Sequence, residues 1–167
     1  MKQKGQGIIE FALIVPMLVA LGVAIVYVGI MFMEFSQYSN AARDAARDIS
    51  VQTEVTNADE SYTTANEFRQ SIVDAINKGS GSDYETVISR YEHPFTNIFE
   101  SNWSAQFYAL NSSTKKLETV TEASKADTVE VSISLKLKED VESGSYMSEW
   151  IADLFNLPTI HYKMVLE

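Results

Sequence analysis

Few side chains in this 167-residue chain could do chemistry, and they are scattered. Its two histidines, His93 and His161, stand far apart in sequence with no companions at metal-ligand spacing. One precedes a proline and the other sits in an alternating stretch, so both read as structural. There is no cysteine, hence no disulfide and no thiolate ligand. No Gly-rich phosphate loop, nucleophile elbow or zinc-binding motif occurs. Glu139, Asp140 and Glu142 could hold calcium weakly, but they lack the loop spacing of a known site, and a solvated turn is the better reading. No cofactor, no metal and no enzymatic activity are therefore expected. One acid is out of place: Glu10 lies near the start of a long apolar run, where an unpartnered carboxylate is costly unless it snorkels or finds a partner.

That run dictates most of the rest. Between Phe11 and Met33 there is no charged side chain. About 23 residues make a helix of roughly 34 Å, enough to cross a hydrocarbon core of about 30 Å. Lys2 and Lys4 precede the run and an acidic chain follows it, so the positive-inside bias keeps the N-terminus cytoplasmic and exports the remainder. A secretory signal peptide is the competing reading, with Ala20-Leu21-Gly22 as a passable cleavage site. Against it, the apolar run continues undiminished from Val23 to Met33. Pro16 frees the carbonyl of Ala12 and should loosen or kink the helix there. Ala12, Pro16, Ala20 and Ala24 recur at intervals of four and place small residues on one stripe. Such a stripe suits close packing against another helix as well as contact with lipid.

The net charge of −10 arises after the apolar run and argues against nucleic acid or anionic lipid as a partner of the exported part. Beyond Glu34 no helix breaker appears until past Ile49. Ala42, Ala46 and Ile49 share one helical face and Arg43 and Arg47 another, so a single long helix should lie on a domain through its alanines. Thr64 to Lys78 carries helical periodicity, with Thr63 or Thr64 as N-cap and Gly79 past its end. Tyr84 to Tyr91, rich in β-branched and aromatic residues, predicts a strand closed by Pro94. Trp103 to Leu110 and Lys116 to Thr121, joined by Asn111-Ser112-Ser113, predict a hairpin. Thr128 to Lys138 alternates most clearly, with Val129, Val131, Ile133, Leu135 and Leu137 on one side. Ser145 to Phe155 predicts a short amphipathic helix and Thr159 to Leu166 a closing strand. Trp103, Phe107 and Tyr108, like Trp150 and Phe155, fill the core or form an exposed docking patch. The fold class is α+β: a long N-terminal transmembrane helix continuing into an antiparallel-sheet domain.

Gly5 follows Lys4 and, with Glu10, frames Gly-Gln-Gly-Ile-Ile-Glu-Phe. This resembles the site cut by prepilin peptidases, which cleave after a glycine five residues before a glutamate. Ile9-Glu10-Phe11-Ala12-Leu13, Val15-Pro16 and the apolar run resemble the N-terminus of TadE-like proteins, minor pilins or pseudopilins of the tight-adherence (Tad) pilus, a relative of type IV pili. Ala41 to Arg47 is similar to the alanine and arginine block that follows the membrane helix in that family, and Tyr162 to Glu167 loosely resembles its final strand. Phe11 stands where the major Tad pilins carry tyrosine. The resemblance implies a pilin-like fold and a division into a leader (1–5), an N-terminal helix (6–52, membrane part 11–33) and an exported domain (53–167). It implies processing between Gly5 and Gln6, and assembly through Glu10, Phe11 and Pro16. Its implied partners are a prepilin peptidase, other major and minor pilins, the inner-membrane assembly platform and the lipid bilayer. The location implied is the bacterial inner membrane, single-pass, with passage into an extracellular pilus. Such a cut would create an α-amino cation on Gln6 one turn before Glu10, able to neutralise the same acid of a neighbouring subunit. The alternative is an unprocessed single-pass anchor displaying an exported binding or regulatory domain.

Overall fold

The computed structural model describes residues 3–51, 64–93, 98–138 and 159–166, with side chains from Glu10 onward. Helix α1 (Gln3–Val51) runs unbroken through Pro16. Its second half buries a stripe at Met31, Glu34, Tyr38, Ala41, Ala42, Ala45, Ala46 and Ile49, the three- and four-residue spacing of one helical face. Four alanines on that stripe let the helix axis approach the sheet closely, while Arg43, Asp44, Arg47 and Asp48 stay exposed.

Helix α2 (Ala65–Lys78) begins where Thr64 Oγ1 accepts the N–H of Glu67 (3.3 Å) and ends at Gly79, whose φ of 69° needs a residue without Cβ strain. Helix α3 (Ser82–Tyr91) replaces the strand expected over Tyr84 to Tyr91. Tyr84, Val87, Ile88 and Tyr91 are spaced three and four apart and face inward, and that period outweighs the β-branched composition. Asp83 and Glu85 in its first turn and Arg90 in its last complement the helix dipole.

Strands β1 (Phe99–Asn111), β2 (Lys116–Val120), β3 (Thr128–Leu137) and β4 (Ile160–Val165) form an antiparallel sheet in the order β2-β1-β3-β4. β1 starts four residues before the expected Trp103. The hairpin turn closes with Asn111 Oδ1 accepting the N–H groups of Ser113 (2.9 Å) and Thr114 (3.2 Å), and Lys115 takes the left-handed φ of 54°. Trp103, Ala105 and Phe107 of β1, the alternating Val129 to Leu135 of β3, and Ile160 of β4 make the inner face. α1 lies against β3 and β4, and α2 against β1. The expected helix from Ser145 to Phe155, with Trp150 and Phe155, and the acids Glu139, Asp140 and Glu142 fall outside the described residues, as does Pro94.

Two side chains of α2 complete what the regular elements leave open. α1 has no basic residue in its last turn, and Arg69 supplies the cation from across the core: Nε donates to the carbonyl of Ile49 and Nη2 to that of Ser50, both at 3.0 Å. Asn77 reads the backbone of Ala105 from both sides, Nδ2 donating to its oxygen (2.7 Å) and Oδ1 accepting its N–H (2.9 Å). It thereby fills the β1 edge beyond the reach of short β2, whose pairing stops at Phe107.

Replacing Arg69 with leucine leaves two buried carbonyls unpaired. The expected loss is about 2–3 kcal/mol, read as a lower midpoint in thermal or denaturant unfolding of the full chain in micelles. Amide exchange rising first near Ile49 and Ser50 marks the cap as the cause.

Candidate functional site

Among the described residues, nothing packs on α1 from Glu10 to Val26. From Glu10 to Ile30 it is exposed or half-exposed, and its most apolar window has a mean hydropathy of 2.7 with none of its residues buried. A core helix of a water-soluble domain would carry such a sequence inside; here the apolar side chains are presented outward, Phe11 at 69% exposure. About 21 residues give roughly 31 Å, the thickness of a hydrocarbon layer. Packing against the domain begins at Tyr27 and Met31, within the stretch expected to span the membrane.

Glu10, Phe11 and Pro16 all lie on this bare segment and are exposed; Glu10 has no hydrogen bond or ion pair among the described residues. Gly5 and Gln6 fall within the helical backbone of α1. The small residues Ala12, Pro16 and Ala20 are open and Ala24 is half-open, so the stripe is free to meet another helix.

Where α1 enters the domain, Glu34 is completely buried. Its two carboxyl oxygens accept the N–H groups of Ile98 and Phe99, each at 3.1 Å. One turn later the Tyr38 hydroxyl reaches the Phe99 carbonyl at 3.5 Å. Burial, with Glu92 and Glu34 nearby, pushes the Tyr38 hydroxyl far above the ordinary tyrosine range, so it stays protonated and a donor. Glu92 also accepts from Ser101 Oγ (2.8 Å). The start of β1 is thus fixed to the helix at the point where the apolar exposed half ends. Sequence reasoning passed over Glu34, yet it lies on the stripe that continues through Tyr38, Ala42 and Ile49.

The outer face of the sheet is polar. Glu130 accepts from Lys163 Nζ (3.0 Å) and lies 3.0 Å from His161 Nδ1, while Lys163 stands 4.5 Å over the Tyr108 ring. Burial alone would raise the Glu130 carboxyl, but hydrogen bonds from Lys163 and Tyr108 and the Lys163 charge hold it below its usual range. The hydrogen bond to Glu130 raises Lys163 in turn. His161 is therefore one arm of a surface cluster and His93 is exposed. Trp103 and Phe107 are buried in the core, whereas Tyr108 belongs to this outer face. Among the described residues no group of three or more His, Cys, Asp or Glu side chains converges as a metal site would.

Compared with known proteins, residues 5–47 match the family model described as TadE-like protein. The match covers the bare half of α1, the Glu34 junction and the Ala-Arg block. No curated protein and no solved structure matches the chain.

Glu34→Ala orphans the buried amide of Phe99 and the partly buried one of Ile98 and should lower stability by about 3 kcal/mol, with faster exchange at both; Glu34→Gln, which keeps one acceptor oxygen, should lose less. The Glu130 cluster has a pH signature. A depressed carboxyl stabilises the fold above its unfolded pKa near 4.5 and ceases to as pH falls through its folded value. The difference in melting temperature between the native chain and Glu130→Gln should thus be largest near neutrality and vanish in acid. An unchanged difference at low pH would remove the cluster's charge from the account.

Proposed function

Starting from an N-terminal segment that is TadE-like, we propose that this chain is a minor pilin or pseudopilin of a Tad (type IVc-like) pilus. It is made as a precursor, cut between Gly5 and Gln6 by a prepilin peptidase, and held in the inner membrane by α1 with its C-terminal domain exported. Its role is structural, in assembling or priming the filament with other pilins at the inner-membrane platform.

The observation that carries the reading is one helix with two unlike halves. The domain uses its polar-flanked half as a spine and leaves the apolar half bare over a membrane's thickness. In lipid such a half is already solvated, so association with neighbouring helices comes from close van der Waals fit and polar pairing rather than from apolar burial. The Ala12–Ala24 stripe suits the first and Glu10 the second. With the leader removed, the α-amino group of Gln6 in one subunit can neutralise Glu10 of another and set their axial stagger. Phe11 and Pro16 shape the helix surface around that pair.

Mass spectrometry of the protein from its native membrane should give a mature N-terminus at Gln6, and Gly5→Leu should block processing. Glu10→Ala should reduce filament incorporation much more than membrane insertion. An intact Met1-Lys2 start in peptidase-competent cells would overturn the reading in favour of an unprocessed anchor displaying a binding domain. Normal filaments with Glu10→Ala would remove the charge-pairing role.

A further inference from the structure

The outermost strand β4 offers backbone groups that the described chain leaves unused. The Leu166 amide donates to the Asp127 carbonyl at 2.9 Å. Partners alternate along an antiparallel pair, so the amides and carbonyls of His161, Lys163 and Val165 point away from β3. None of them meets a hydrogen-bond partner among the described residues. Val165 is 70% exposed. Edge strands are commonly guarded by a lysine, but the Lys163 ammonium is drawn back over the sheet to Glu130 and the Tyr108 ring.

Beside this edge runs a groove of about 460 Å³ between β4 and α1, lined by Arg43, Arg47, Ser50, Lys163, Met164 and Val165. The guanidinium groups of Arg43 and Arg47 have no ion pair or hydrogen bond among the described residues. Two cations without an ion pair among the described residues thus flank a strand edge that no described strand pairs, in a chain whose net charge is −10.

We propose that the β4 edge and the Arg43–Arg47 flank form a docking site for an extended segment of a partner protein carrying carboxylates at alternate positions. The incoming strand pairs with the backbone of His161, Lys163 and Val165, and its acids on one side meet the arginines. The spacings agree: residues four apart on a helix are separated by about 6 Å along its axis, and alternate residues on a strand by about 6.7 Å. A second copy of this chain fits less well. Symmetric β4–β4 pairing would bring two arginine pairs together, and the β2 edge of another copy brings Lys115 and Lys116 with Glu118. The site is independent of processing at Gly5 and of filament formation, so its test and theirs fail separately.

The full chain in zwitterionic micelles is titrated with a short synthetic peptide alternating glutamate and valine, and binding is followed by fluorescence anisotropy and amide exchange. Exchange at His161, Lys163 and Val165 should slow about tenfold or more, with β2 unchanged. Arg43→Glu combined with Arg47→Glu should weaken binding about tenfold or more. Val165→Pro removes an outward amide without touching the ladder and should also weaken binding. Unchanged melting of these surface variants confirms that they fold. The proposal is overturned by absence of binding, by binding without protection of β4, by equal binding of a lysine–valine peptide, or by indifference to both variants. Concentration-dependent self-association that protects β4 without peptide, or protection by anionic vesicles alone, would overturn it as well.

Discussion

A single buried acid, Glu34, joins the part of α1 that faces outward to the part that carries a domain. Its two oxygens take the amides of Ile98 and Phe99 before β1 has any strand partner at that end except β3. A buried carboxyl is tolerable only because both oxygens find donors and Tyr38 satisfies the adjoining carbonyl. Fixing Phe99 fixes the register of β1, and β1 sets that of β2 and β3. The sheet is therefore indexed to the helix at the start of β1, and again at β4, where Ser39 Oγ and the Tyr162 hydroxyl meet at 3.0 Å. Arg69 does the equivalent at the other end, holding the last carbonyls of α1.

The same helix therefore carries two unlike halves. Along its outward half it packs against none of the described residues, and from Phe11 onward its side chains are apolar on all sides. Along its domain half the apolar stripe narrows to alanines, which contribute little area each but let the backbone approach β3 and β4. The transition falls between Tyr27 and Glu34, without proline or glycine pairs to loosen the junction.

Much of this was legible in the residues and some was not. The apolar run, the split of Ala42, Ala46 and Ile49 from Arg43 and Arg47, the caps of α2 and the alternation of β3 are local patterns, and each appears as expected. α3 was misread because Thr86, Val87 and Ile88 favour strands by composition, whereas Tyr84, Val87, Ile88 and Tyr91 have the period of a helix. The polar contacts that index the fold lay beyond reading. Glu34 finds its donors 64 and 65 residues away, and Arg69 its acceptors 20 and 19 residues back. Nothing local in sequence encodes such a meeting. Of the candidate site, Glu10 and Pro16 were legible as unusual residues in an apolar run and Phe11 entered only through the resemblance; all three are exposed.

Because α1 is gripped at Glu34 and again at Ile49 and Ser50, it cannot turn about its own axis without turning the sheet. The rotational phase of the helix is thereby inherited by the domain. At about 100° per residue, Glu10 sits roughly 120° around the helix from Glu34 and only about 60° from Arg43, some 50 Å above it. The lone acid at one end thus lies about 60° from Arg43 and about 100° from Arg47, all three on the side of the helix turned away from Glu34. A neighbour engaged below by the acid would meet, above, the side of the molecule that bears the arginines.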